Sequence, residues 1–521
     1  MSVALHKKSI LKKTFEIGSS TLLSRFFGVI REFLWVRYLG AGAISDAFFT
    51  AFKIPNSLRK IFAEGALSAA LIPTFVSVVR KDKEQASSLI SLSFLIFEGF
   101  LVLICALMMF YAEAVLHVIV PGFSPEHIAY TIPFLQILMP FILFVSSSAI
   151  LAGALQSVGH FFVPAFAPVL LNIIYIGATA VCLFFSWPVE YFCFFIVLGG
   201  VVQLAIHVYM YLKLHFTFAK INKQTWLDFK DVLIKFFPCL LSMSVMEVGL
   251  FIDTSFASYL PAGSMSLINY AYRFMGIPLG VFAVSFSTIL LPHFSRVGAY
   301  APKRMGYYLL ETTKFVYWVT IPAMILMMFF AEKFFHTLFL SDKFTLLQVH
   351  EARNILIAFL VALFFFSLNK ILLNIYYSLH VTSIPTVISI FATVLNIILD
   401  YVLLTKYQAV GLAAATTLSI GVIQTMLLAL GLFWKFKFKI YFKNFFDFFI
   451  RYTIKLILVL SVAYFLYGLI ERYIELLPQG LAQFLLYGLG FWFWVGPLCG
   501  MVMIALFYLR KAFKIELHFL D

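Results

Sequence analysis

Charge is scarce in this chain. Only 12% of its 521 residues are Asp, Glu, Lys or Arg, about half the share of a soluble domain, so a water-soluble fold is excluded. Strict two-residue alternation of polar and apolar positions is also missing, which excludes a transmembrane β-barrel. Five cysteines occur, at Cys105, Cys182, Cys193, Cys239 and Cys499, all in apolar surroundings and none in a CxxC pair. That excludes a zinc ribbon and a disulfide framework. Long polar loops are absent, no catalytic carboxylate pair stands in a loop, and the 11 histidines form no metal-ligand cluster. An intramembrane transferase is therefore the weaker alternative, and no catalytic residue is assigned. A short uncharged signal segment is absent too. Lys7, Lys8, Lys12 and Lys13 precede a first span holding three arginines, so that span is expected to remain in the protein.

What is present is greasy. The chain is 63% hydrophobic and 18% aromatic, with 63 phenylalanines. Apolar runs of bilayer length recur from end to end. Their approximate limits are 15–38, 46–79, 88–118, 128–156, 162–186, 190–214, 231–260, 265–298, 307–331, 350–379, 383–405, 408–434, 450–471 and 482–510. The expectation is an all-α polytopic membrane protein of about fourteen transmembrane helices. Prolines interrupt the second span (Pro55, Pro73) and the eighth (Pro278, Pro292).

The formal charge is +14, from 38 Lys and Arg against 24 Asp and Glu. In a membrane protein, basic loops are held on the cytoplasmic side, so nucleic acid is not needed to explain the excess. Arg80, Lys81 and Lys83 follow span two, Lys213, Lys220, Lys223 and Lys230 follow span six, and Lys435, Lys437, Lys439 and Lys443 follow span twelve. The loops at 119–127, 187–189 and 261–264 carry no Lys or Arg, while 332–349 holds Lys333 and Lys343, a mild exception. The pattern predicts an even number of spans with both termini cytoplasmic.

Two segments echo each other. YLGAGAISDAFF begins at Tyr38, after span one, and YLPAGSMSLINY begins at Tyr259, after span seven. PAFAPVLLNII in span five likewise resembles IPTVISIFATVLNII in span eleven. A common offset implies two six-helix lobes in parallel repeat plus two C-terminal helices, a transporter plan. The expected divisions are 1–220, 221–440 and 441–521.

The spans hold ions. Arg25, Arg31 and Arg37 are spaced by six in span one. Six residues turn a helix by about 600° and advance it about 9 Å, so the three cannot form one stripe. Arg37 is near a helix end and can snorkel to the interface. Arg25 and Arg31 lie deeper, about 120° apart, and can face one wide aqueous cavity. Asp46 opens span two, where a helix N-cap is a sufficient explanation. Lys53 and Arg59 are again six apart, and Lys60 and Glu64 are four apart and able to pair. Arg273 lies inside span eight with no acidic residue beside it in sequence. Arginines in one cavity suit an anionic ligand with phosphate groups, because a guanidinium fork grips two oxygens at once. A distant carboxylate partner for Arg273 is the rival explanation. In the later spans, Asn396 and Asp400 share a helix face, with Asp253 in span seven and Thr416 in span twelve. Such hard oxygen donors suit Na⁺, with a proton relay through Asp253 and Asp400 as the rival.

The stretch LSRFFGVIREFLWVRYLGAGAISDAFFTAFKIPNSLRKIFAEGALSAALIPTF (23–76) resembles the signature of the MurJ/MviN family. These are the lipid II flippases of bacterial peptidoglycan synthesis, within the multidrug/oligosaccharidyl-lipid/polysaccharide exporter superfamily. FAPVLLNI, ASYLPAGS, YRFMGIPLGVFAVSFSTILLP and GLAAATTLS resemble later blocks, so the likeness runs over nearly the whole chain.

The resemblance implies a non-enzymatic lipid transporter of the inner membrane, working by alternating access for cell-wall synthesis. It implies a central cationic cavity for the diphosphate-sugar headgroup, and a terminal helix pair grooved for the lipid tail. By matching motifs the headgroup residues are Arg25, Arg31, Asp46, Lys53, Asn56, Arg59 and Arg273, with Glu64 at the side portal. A sodium site would use Asp253, Asn396, Asp400, the Leu412 carbonyl and Thr416, and no other cofactor is implied. Implied partners are lipid II, the membrane and the cell-wall synthesis machinery, with no nucleic acid. Glu32 stands where many members have Asp, and Tyr272 and Gly276 where some carry acidic residues. Exporters of other polyprenyl-diphosphate glycans, and a cell-wall assembly scaffold, are the alternatives. A scaffold does not need arginines inside spans.

Overall fold

The computed structural model describes residues 7–280, 304–379, 381–436 and 441–512, with scattered positions between 290 and 300 and at 515–516. The distal part of the eighth expected span, with Pro292, lies outside the described residues. So does the side chain of Glu64. The described elements are helical, as the length of the apolar runs requires: in lipid, a helix satisfies its own backbone.

The chain forms two compact units, Met1–Ser266 and Leu267–Asp521. In the first are α1 (Lys7–Leu39), α2 (Ala43–Leu58), α3 (Ser68–Val79), α4 (Lys83–Ser93), α5 (Gly99–Phe110), α6 (Ala112–Ile119), α7 (Pro125–Leu138), α8 (Phe141–Ser157), α9 (Phe162–Phe184), α10 (Val189–Lys213) and α11 (Lys223–Ala257). Helix α12 (Ser264–Pro278) starts at the boundary. The second unit continues with α13 (Met305–Phe339), α14 (Leu346–Leu360), α15 (Leu363–Ser378), α16 (Ser383–Thr416), α17 (Gln424–Phe436), α18 (Phe442–Glu475), α19 (Gln479–Tyr487) and α20 (Phe491–Ala512). Short π-helical stretches join α2 to α3 (Arg59–Leu67), α4 to α5 (Phe94–Glu98) and α16 to α17 (Thr417–Ile423).

Among the described residues, eight helices are long and apolar enough to cross a membrane, and the bent pair α14–α15 makes a ninth. The difference from fourteen has local causes. Spans eleven and twelve run together as Ser383–Phe436, joined through a kink where Gln408 takes φ 48°. Charges dilute α1, a π-helical stretch divides span two, and span eight is only partly described. Each of the fourteen expected runs still meets helix.

In the first unit α1 packs along α9, α2 along α7, and α8 between α10 and α3. Trp35, fully buried, sits edge-on to Phe48, Phe52 and Phe192. Lipid tails are as apolar as these rings, so shape-matched packing rather than water exclusion holds the unit together. Helix α11, expected to open the second lobe, packs in this unit against α3, α4 and the π stretch Arg59–Leu67. In the second unit the terminal helices are tied down by polar contacts: Tyr452 donates to the Trp318 carbonyl at 2.8 Å, and the Tyr317 and Thr453 hydroxyls meet at 3.0 Å.

Candidate functional site

Helix α1 ends because Gly40 adopts a left-handed φ of 67° and its N–H returns to the Val36 carbonyl at 2.8 Å. This is the common glycine stop. Helix α2 starts three residues later, with Ser45 and the Gly42 backbone capping its first turn. Asp46 is thus free of the role expected of it. It is buried, and its carboxylate accepts from the N–H of Gly263 at 2.6 Å, the N–H of Ser266 at 2.8 Å and the Ser266 hydroxyl at 2.5 Å. It caps α12 rather than its own helix, and the protein itself supplies its partners.

Arg31 is held from three sides. Its guanidinium pairs with Glu32, donates to Asn172 Oδ1 at 2.9 Å and lies 4.7 Å from the Trp35 ring centroid. The adjacent Glu32 is therefore a sequence-local partner of Arg31. Asn172, on α9, donates in turn to the Ser24 carbonyl at 3.0 Å and the Ser24 hydroxyl at 3.3 Å. Arg25 lines a cavity of about 550 Å³ with Thr21, Ser24, Gln156, Phe161 and Pro164. Arg37 is exposed, as a snorkelling residue should be.

Further along, Lys53 donates to the Leu250 carbonyl at 2.8 Å and to the Thr254 hydroxyl of α11. Asp253 and Glu247 lie near enough to act on its charge. Arg59 donates to Asn56 Oδ1 at 3.1 Å across one helical turn. Lys60 pairs with Glu247 at 3.2 Å. One face of α11 therefore answers the basic residues of span two. Four cations of the expected site, Arg25, Arg31, Lys53 and Arg59, belong to the first unit, half-buried.

Arg273 belongs to the second unit, where it donates to Asn269 Oδ1 at 3.0 Å. The expected ion ligands are divided in the same way. Asp253 is in the first unit, beside Lys53. In the second, Asn396 donates to Asp400 at 2.7 Å and accepts from Ser419 at 2.6 Å, and Thr416 donates to the Leu412 carbonyl at 3.1 Å. Asn396 and Asp400 do share a face, and both are buried. Among the described residues no three His, Cys, Asp or Glu side chains cluster for a transition metal.

Asn172, Glu247, Thr254 and Ser266 were not singled out in the sequence. A signal existed for the first: Asn172 and Asn396 hold the same place in the LLNII and VLNII echoes, and each holds an ion in position.

The family model for the lipid II flippase MurJ matches residues 35–486. The chain is 31% identical over 431 residues to a probable lipid II flippase MurJ of Vibrio cholerae, covering 79% of this chain and 81% of that one. It is 30% identical to the lipid II flippase MurJ of Burkholderia cenocepacia, covering 81% and 84%. Its structure matches that of a lipid II flippase MurJ in an inward closed conformation with a TM-score of 0.76 and 25% identity, over 95% of this chain and 99% of that one. An inward-facing multidrug resistance MATE transporter shares the fold at a TM-score of 0.66 and 18% identity, over 78% and 93%. The chain belongs to the MurJ family of lipid II flippases.

Proposed function

We propose that this chain carries lipid II from the cytoplasmic to the periplasmic leaflet of the bacterial inner membrane by alternating access. The observation that carries the reading is Arg31, a guanidinium placed inside a membrane span and oriented by Asn172, Glu32 and Trp35. An arginine at a helix centre costs about 2.5–3.5 kcal/mol on insertion scales, and a fold keeps that cost where the charge has work to do. In this reading Arg25, Arg31, Lys53, Asn56, Arg59 and Arg273 receive the diphosphate-sugar headgroup while the polyprenyl tail stays in lipid. Asp46 is a positioning residue that fixes the turn at Gly263, and Glu64 stands at the side portal. The two six-helix repeats, divided near residue 220, rock about the bound headgroup, and the pair 441–521 guides the tail.

No bond is made or broken: the work is binding and movement. The basic loops after even-numbered spans support cytoplasmic termini. Asn396, Asp400, the Leu412 carbonyl and Thr416 are hard oxygen donors that fit Na⁺ in kind, and they would hold it with Asp253. The ion would supply a charge whose binding favours one lobe shape over the other. Cell-wall synthases are the proposed consumers of the delivered lipid.

The test is complementation of a flippase-depleted bacterium, with lipid II accessibility measured on each membrane face. Restored growth with lipid II appearing outside is the expected result. Growth without outward lipid II, or neither, overturns the proposal.

A further inference from the structure

The third expected span holds a carboxyl group that the headgroup site does not use. Glu98 ends the π-helical stretch Phe94–Glu98, between α4 and α5. It lies fifteen residues beyond Lys83, about 22 Å along a helix and so at mid-depth of a span. Both of its carboxylate oxygens are buried, and neither has a hydrogen-bond partner among the described residues. The hydroxyls of Ser146 and Ser147 on α8 lie beside it. The Ser146 hydroxyl is itself buried without a partner. Three oxygen-bearing side chains thus share one small polar space in an otherwise apolar span. A π-helical stretch widens the helix there, a distortion that recurs at functional sites.

We propose that Glu98, with Ser146 and Ser147, forms a proton-binding site whose occupancy is coupled to the transport cycle. The chemistry is one O–H bond: a carboxylate oxygen takes a proton from water on one side of the membrane and returns it to water on the other. A neutral acid suits the conformation seen here, since a buried carboxylate flanked only by hydroxyls is costly in a span. An alkali or divalent ion fits less well, because hard cations gather more oxygens than one carboxylate and two hydroxyls supply.

Other titratable groups leave the site to Glu98. On its own strand of helix, Lys83 and Glu84 stand at the far start of α4, and Cys105 is a buried thiol two turns onward. Helix α8 carries no titratable side chain. Helix α11 reaches this region through Phe229 and Phe236, which pack on Phe97. Its Asp228 accepts from Gln85, its Lys235 donates to Thr74 and its Glu247 pairs with Lys60. Coupling has a physical route, because α8 also packs on the π-helical stretch that bears Arg59 and Lys60. A change of charge at Glu98 would therefore be felt by the helix that braces the basic site.

The coupling rests on the flippase reading, but the site does not, and the test separates them. The full-length purified protein is treated with dicyclohexylcarbodiimide, which modifies protonated carboxyls in apolar surroundings, and the adduct is mapped by mass spectrometry. Glu98 is expected to be modified at low pH, with the rate falling about tenfold per pH unit above its midpoint. Glu98→Gln, nearly isosteric, should lose that adduct alone. No adduct at Glu98 at any pH, an adduct indifferent to pH, or protection by Na⁺ at constant pH overturns the proton site. In vesicles containing lipid II, an imposed pH gradient should change translocation by the wild type and leave Glu98→Gln unresponsive. Equal responses overturn the coupling. Should Glu98→Gln fold poorly, the wild-type pH profile of labelling still decides the site.

Discussion

Ser45 and Ser266 meet hydroxyl to hydroxyl at 2.9 Å, fully buried and 221 residues apart. They hold the same place in the echoing segments that begin at Tyr38 and Tyr259. The turn after span one is thus docked on its own repeat, the turn after span seven. Asp46 completes the joint, and its counterpart in the second segment is Leu267. Only one side of the pair carries the carboxylate.

Replacing that carboxylate should loosen the joint. Asp46→Ala strips the acceptor from two backbone N–H groups and one hydroxyl. Hydrogen bonds to a charged group are worth about 1.5–3 kcal/mol each, so a loss of about 3 kcal/mol or more is expected. Thermal unfolding of the purified variant measures it. Ser45→Ala should cost much less, and an unchanged melting temperature for Asp46→Ala would refute the capping role.

The equivalent glycines should respond differently to alanine. Gly263 has φ +95°, and a Cβ there would stand 2.5 Å from the Ala41 carbonyl oxygen. Gly42 is extended, and a Cβ there meets nothing within 4 Å. Gly263→Ala is expected to cost about 1–3 kcal/mol, and Gly42→Ala to stay within about 0.5 kcal/mol. Equal melting shifts would contradict this geometry.

Headgroup binding makes a graded prediction. Arg31→Ala and Arg273→Ala should each abolish complementation while the protein still inserts in the membrane. Asn172→Ala should weaken transport in part, because Arg31 then keeps Glu32 and Trp35 but loses its α9 partner. Arg37→Ala should be mild, since that side chain is exposed at a helix end. Normal growth of Arg31→Ala at normal expression would remove Arg31 from the site.

Water access can be read directly. Cysteines placed at positions 25 and 273 of a cysteine-free variant should react with a small charged thiol reagent. Position 25 borders the cavity of about 550 Å³. Silence at both positions in every ionic condition would leave the aqueous site without support.

Sodium should stabilise the protein if Asp400 and its neighbours hold it. A ligand at a hundred times its Kd adds about 2.7 kcal/mol to folding stability. Na⁺ is expected to raise the melting temperature more than K⁺ does, and Asp400→Asn or Asp253→Asn to erase the difference. Equal responses to Na⁺ and K⁺, unchanged in Asp400→Asn, would dismiss the ion site and leave the arginines untouched.

The sequence by itself determined the membrane class, the run of spans and the basic residues inside them. Run length and charge are local properties, and lipid turns them directly into helices. It also carried the repeat, through segments that now prove to touch at Ser45 and Ser266. What it could not supply is which side chain meets which across the chain. Lys60 pairs with Glu247, 187 residues away, a meeting that no helical spacing announces. Asp46 had a helix start of its own to cap, yet it caps α12. Glu98 lies within the run 88–118, and it is α8 that brings Ser146 and Ser147 beside it. Helical periodicity tells which residues share a face. Only the rotation and depth of neighbouring helices, set by close packing of distant segments, decide what that face meets.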